Sequence, residues 1–216
     1  GPHTEDIRYV ETTWLLDLIN EGKIRVDPAF QRPKCWSKIK ATSYIIGLNN
    51  GGIIEPFYLV NIKTCAKKCL RAFGEEDPDY LYFKDLEDKD YEYLSLDGNN
   101  RSVSLKDYFT DQLALSDCVL KGADPSVDAL TISKYGKRTF SGLSEDWQER
   151  MYKIRIPICI VLEATKGDCH FEFLKLNHND DPSHQEQRNA IPGSKIAEEV
   201  RQMAQEPMEN TERVLE

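Results

Sequence analysis

The sequence predicts an α+β fold, a mixed β-sheet surrounded by helices. Three observations carry this. Strand-length apolar runs recur at 53–62, 91–96 and 152–162. Other segments place apolar residues at helical spacing. The composition, 40% hydrophobic and 30% charged over 216 residues, is that of a globular chain long enough to bury a core without disulfides or metals.

The elements follow in order. A first helix starts at Thr12 or Thr13, either of which can cap it, gathers Trp14, Leu15, Leu18 and Ile19 on one face, and stops at Gly22. Ile24 to Val26 is a short extended piece, and Asp27 to Pro33 a loop set by two prolines. A second helix spans 37–49, with Ile39, Ile45, Ile46 and Leu48 apolar, and a strand spans 53–62. Residues 63–90 have the least regular pattern. There Tyr80 to Phe83 and Tyr91 to Leu96 read as two strands joined by a charged turn. A helix begins after Asp97-Gly98, and 117–141 reads as an inserted turn and hairpin with strands at 129–132 and 137–140. A helix at 144–152, a strand at 152–162 and a helix at 168–176 complete the regular part. Ser183 and Glu186 have capping-box spacing and open a further helix. Residues 4–194 are expected to form one domain, and 195–216 a C-terminal helix fraying into an acidic tail. Gly1-Pro2-His3 reads as a protease scar and is set aside.

Charge and cysteines narrow the function. A net charge of −9 argues against a protein that coats nucleic acid, though a local basic site fits on an acidic body. No apolar run approaches the roughly 20 residues of a membrane helix, so no membrane partner is expected. Six cysteines lack zinc-type spacing and a secretory context. Free thiols in a reducing, cytoplasmic compartment are expected. Cys65 and Cys69, four apart, suit one helix face.

Three polar islands lie at the edges of regular elements. The first is Phe30-Gln31-Arg32-Pro33 with Trp36; the second is Asp97-Gly98-Asn99-Asn100-Arg101; the third is Asn177 with Glu186, Gln187, Arg188 and Asn189. The second is the most informative. A strand runs into a glycine that permits a sharp turn, and the amides of the new helix attract anions. Arg101 offers a fork suited to phosphate, and Asp97 a carboxylate for magnesium or for a proton. The bland alternative is an Asp-Gly hairpin turn with solvated neighbours.

The order of Gln31, Arg32 and Trp36, then Pro56, then Asp97, Gly98 and Arg101, then Phe173 and Asn177, then Glu186, Arg188 and Asn189 resembles the N-terminal domain of the GmrSD-type restriction endonuclease family. The resemblance covers about residues 12–192 and implies a ParB/sulfiredoxin-like fold. It also implies a nucleoside-triphosphate site on an Asp-Gly-Gln-Gln-Arg turn, magnesium-dependent hydrolysis or phosphotransfer, and a setting in DNA restriction-modification or phage defence. Carried over, Asp97 is the acid/base or metal-facing group and Arg101 the phosphate clamp, with Asn99 and Asn100 where the family has two glutamines. Gln31, Arg32, Trp36 and Gly98 line the pocket, and Asn177, Glu186, Arg188 and Asn189 close it. A nuclease or other effector partner, DNA, and a second copy of the chain are the further partners considered. Two other functions stay open. One is a non-catalytic DNA-sensing or partner-binding module with a nucleotide switch pocket. The other is a metal-dependent nuclease acting through Asp97 or His178, for which the flanking motif is missing; His170 and His184 then read as surface or supporting histidines.

Overall fold

The computed structural model describes residues 3–31, 35–49, 54–117, 119–120 and 138–178. Its elements are built around β6 (Arg155–Glu163), the longest strand. Ile156, Ile158 and Ile160 of β6 enter one core and Val161 enters another, so the strand is covered on both faces. β4 (Phe57–Asn61) divides likewise, with Phe57 and Leu59 on one side and Val60 on the other. The fold is α+β, as the sequence predicts, with seven helices among the described residues.

The sheet is mixed and has six strands. β1 (His3–Thr4) and β2 (Arg8–Glu11) both pair antiparallel with β6 along one flank. β4 lies parallel to β6, and β5 (Tyr93–Asp97) runs antiparallel to β4. β3 (Ile24–Arg25) closes the far edge parallel to β5. The strand order is therefore β1-β6-β4-β5-β3. His3, set aside with the scar, sits opposite Glu163 in the β1–β6 pair.

Four helices supply the first core. α1 (Thr12–Asn20) buries Leu15, Leu16, Leu18 and Ile19. Its N-cap is Glu11, not Thr12 or Thr13. Thr12 Oγ1 donates instead to the Ile154 carbonyl at 2.8 Å, tying the helix start to the approach of β6. α2 (Lys38–Gly47) is capped by Ser37, whose Oγ accepts from Lys40 N. α5 (Asn99–Phe109) contributes Leu105 and Tyr108, and α6 (Glu145–Tyr152), capped by Ser144, contributes Met151.

The opposite face corrects the reading of 63–90. Instead of irregular chain and a strand at 80–83, there is a helical hairpin of α3 (Ile62–Phe73) and α4 (Pro78–Asp88). Ile62, Cys65, Ala66 and Cys69 fall on the buried face of α3, at helical spacing, while Lys63, Lys67 and Arg71 are exposed. Asn61 caps α3 through Thr64 N, and Gly74, at φ 91°, ends it. Asp77 caps α4 through Tyr80 N at 3.0 Å, and Pro78 occupies its first turn. The aromatic run 80–83 is thus wound around a helix, with Phe83 buried and Leu81 outward. The strand expected at 53–62 begins only at Phe57 and ends at Asn61. Phe140 lies in a 3-10 turn, Phe140–Gly142, rather than at a strand end. The strand expected at 129–132 and the helices after 183 lie outside the described residues.

α7 (Lys166–His178) follows β6 through Ala164 and Thr165 and packs over β5 and the 3-10 turn Pro28–Phe30. Phe173 meets Phe30 with ring centroids 5.9 Å apart. Cys35, Cys65, Cys69, Cys159 and Cys169 are free thiols. Burial pushes Cys65 up to about 12 and Cys69 up to about 11, which suits packing rather than nucleophilic chemistry. No helix among the described residues is long and apolar enough to cross a membrane.

The helical hairpin makes a direct prediction. In a strand, positions 81 and 83 share a face; in α4 they do not. Phe83→Ala is expected to cost about 3–5 kcal/mol in urea unfolding, and Leu81→Ala under about 0.5 kcal/mol. Equal costs at the two positions would restore the strand.

Candidate functional site

Asp97 is the last residue of β5 and Asn99 the first of α5, so a single residue joins strand to helix. That residue is Gly98, at φ 105° and ψ 9°. Side chains rarely adopt this conformation. Space excludes one as well, because a Cβ here would lie 2.4 Å from Phe57 Cδ1. The turn is therefore pressed onto the first residue of β4.

The register opposite the turn is irregular. Asp97 pairs with Tyr58, but Ser95 pairs with Leu59, so Leu96 is an extra residue on β5. Such a bulge bends a strand and re-aims the residues beside it. Here it sets Asp97 opposite Tyr58. Burial raises the Tyr58 phenol above its ordinary value, with the Cys159 and Asp97 charges adding to the shift.

Arg101 sits one helical turn after Asp97 and is 5% exposed. Its guanidinium donates to the Glu55 carbonyl, to the Pro56 carbonyl at 3.0 Å and to Asp97 Oδ2 at 3.3 Å. It also lies 4.5 Å from the centroid of the Phe57 ring. The fork that the sequence offers to phosphate is thus engaged within the protein. In this geometry it holds Asp97 and the approach to β4 in place. The Asp97 side chain is 15% exposed.

The first intrahelical bond of α5 runs from Ser102 N to the Gly98 carbonyl at 2.8 Å. The N–H groups of Asn99, Asn100 and Arg101 precede it and have no acceptor within the helix. Asn100 is turned to the protein: its Oδ1 accepts from Trp36 N at 3.2 Å. Asn99 Oδ1 is buried without a hydrogen-bond partner among the described residues.

The other expected site residues divide into three groups. Trp36 is brought to the turn by its bond to Asn100, and its ring packs edge-on against Tyr44. Asn177 lies in the last turn of α7, the helix that packs against β5. Gln31 is exposed at the end of the Pro28–Phe30 turn. Arg32, Glu186, Arg188, Asn189 and His184 lie outside the described residues. His170 is exposed, with its ring 6.2 Å from that of Phe30.

A metal at the turn would have one carboxylate, that of Asp97. No cluster of three or more His, Cys, Asp or Glu side chains able to hold a metal occurs among the described residues. Asp97 alone fits the mode in which magnesium takes one protein carboxylate and otherwise phosphate oxygens and water. It does not fit an all-protein cage.

Several residues that build the site were not singled out in the sequence. Phe57 supplies the surface under Gly98 and Arg101, Glu55 supplies a carbonyl, and Tyr44 supplies a buried hydroxyl. Phe57 had a signal, since it directly follows Pro56 at the head of a strand. Tyr44 had none beyond being a polar-tipped residue in a helix. No protein-family model, no curated protein and no solved structure matches this chain.

The contact under Gly98 is testable. Gly98→Ala adds left-handed strain to a clash with Phe57 and is expected to cost at least about 2 kcal/mol in urea unfolding. In a Phe57→Ala background the same change is expected to cost at least about 1 kcal/mol less, a coupling read from the double-mutant cycle. Additive costs would show that the ring does not limit the turn.

Proposed function

We propose that this chain is a magnesium-dependent nucleoside-triphosphate-binding domain of ParB/sulfiredoxin-like architecture that hydrolyses or transfers the terminal phosphate. Its proposed setting is DNA restriction or phage defence, as the GmrSD-type resemblance implies. The observation that carries the reading is the β5–α5 turn. It places helix-start amides beside a largely buried carboxylate.

Phosphoryl transfer needs positioning and charge stabilisation more than covalent chemistry. The amides of Asn99, Asn100 and Arg101 suit the phosphate oxygens. Asp97 faces the reacting end, where it accepts the proton of the attacking water or acceptor hydroxyl. The new bond to the terminal phosphorus forms as the β–γ bridge breaks, and the nucleoside diphosphate leaves. Magnesium, when bound, neutralises phosphate charge. Arg101 acts through Asp97 as a positioning residue.

The inward engagement of Arg101 also favours a second reading. With its cation directed into the protein, the turn holds fewer groups for transition-state charge, which suits a nucleotide switch without turnover.

One panel separates the two. ATP, GTP, CTP and UTP are offered with magnesium to the wild type and to Asp97→Asn, which keeps the shape beside Arg101. At 100 times Kd, a bound nucleotide is expected to raise the melting temperature by about 5–10 °C. Phosphate release is expected in the wild type and at least about 100-fold less in Asp97→Asn. Binding without release would select the switch. No shift with any of the four would overturn the nucleotide reading.

A further inference from the structure

Two buried polar atoms close to the β5–α5 turn, Asn99 Oδ1 and the Tyr44 hydroxyl, lack hydrogen-bond partners among the described residues. Native proteins keep few such atoms, because burial without a partner is costly. Tyr44 stands on α2, which packs against α5. Its ring meets Trp36 edge-on, with centroids 5.5 Å apart and planes at 70°. Trp36 N in turn donates to Asn100 Oδ1 at 3.2 Å. The charges of Arg101 and Glu55 both act on the hydroxyl, so Tyr44 belongs to the same neighbourhood as the turn. Burial raises the phenol far above its ordinary value, which keeps it neutral and able both to donate and to accept.

Resting on the nucleotide reading above, we propose that the Tyr44 hydroxyl and the Asn99 carboxamide oxygen form a subsite for the sugar hydroxyls of a ribonucleoside triphosphate. The argument is one of complementary donors and acceptors. A carboxamide oxygen only accepts, so it opposes a phosphate oxygen and suits a donor. A tyrosine hydroxyl both donates and accepts. The pair fits a group that does both, and a sugar hydroxyl is such a group. The triphosphate has the helix-start amides, a separate set of donors. Reading the 2′-hydroxyl is also how a protein distinguishes ribonucleotides from deoxyribonucleotides. The subsite therefore makes the pocket selective for ribonucleotides in a setting where deoxyribonucleotides and DNA are at hand.

The test is calorimetric titration of wild type and Tyr44→Phe with ATP, GTP, CTP and UTP and their 2′-deoxy and 3′-deoxy counterparts, with magnesium. Tyr44→Phe keeps the ring against Trp36 and removes only the hydroxyl. The wild type is expected to bind a ribonucleotide about tenfold more tightly than at least one of its deoxy counterparts, the worth of one hydrogen bond. Tyr44→Phe is expected to weaken the ribonucleotide about tenfold and that deoxy counterpart little, so that the preference disappears. Its melting temperature without nucleotide is expected to equal or exceed that of the wild type, since an unpaired buried hydroxyl is gone. Equal wild-type affinity for ribonucleotide and both deoxy counterparts would overturn the subsite and leave the nucleotide site standing. So would a variant that keeps the preference, or one that melts several degrees lower without nucleotide. No binding of any nucleotide by the wild type would overturn both.

Discussion

A single buried guanidinium organises the end of the sheet where the candidate site lies. Arg101 ties three pieces of chain together: the approach to β4 through the carbonyls of Glu55 and Pro56, the end of β5 through Asp97, and its own helix. Removing a charge from water is expensive, and only close partners offset it. Here two carbonyls, a carboxylate and the Phe57 ring supply them. Removing one partner of such a group typically costs about 3–5 kcal/mol, because the other charge is left buried and unpaired. Lysine could not take the place of Arg101, since one ammonium cannot present the same planar fork to carbonyls and carboxylate together.

The geometry separates holding from acting. The cation is engaged within the protein by two carbonyls and by Asp97, while the amides that begin α5 have no acceptor within the helix. The β5 bulge and the left-handed Gly98 make this possible by fixing where the chain leaves the strand. Phe57 lies beneath both the glycine and the guanidinium, so any side chain at 98 would disturb the β4 contact and the turn together. The shape of the turn is thus set by packing against Phe57.

Much of this was legible in the chain. Asp97-Gly98 after an apolar run marked a strand-to-helix turn, because glycine there has a backbone reason. Ser37 and Ser144 marked helix starts, and the apolar run at 152–162 marked the central strand. The helical hairpin was missed because Tyr80 to Phe83 is a short aromatic run, whose period does not separate strand from helix. The decisive signals were Asp77-Pro78 as a capped start and the spacing of Ile62, Cys65, Ala66 and Cys69. The direction of Arg101 was not legible at all. A guanidinium beside a glycine turn reads the same whether it faces a ligand or the protein, and only the carbonyls of 55 and 56, over forty residues away in the chain, decide it. The unpaired hydroxyl of Tyr44 is likewise a property of packing between α2 and α5.

In the proposed function the amides at the start of α5 receive the phosphates of a nucleotide. Amide chemical shifts of the isotope-labelled chain, followed during titration with ATP, GTP, CTP and UTP in magnesium, test it most directly. Saturable shifts concentrated at Gly98, Asn99, Asn100 and Arg101 are expected with at least one of the four nucleotides. Shifts confined to the exposed lysines of α3, or no saturable shift at the turn, would contradict it.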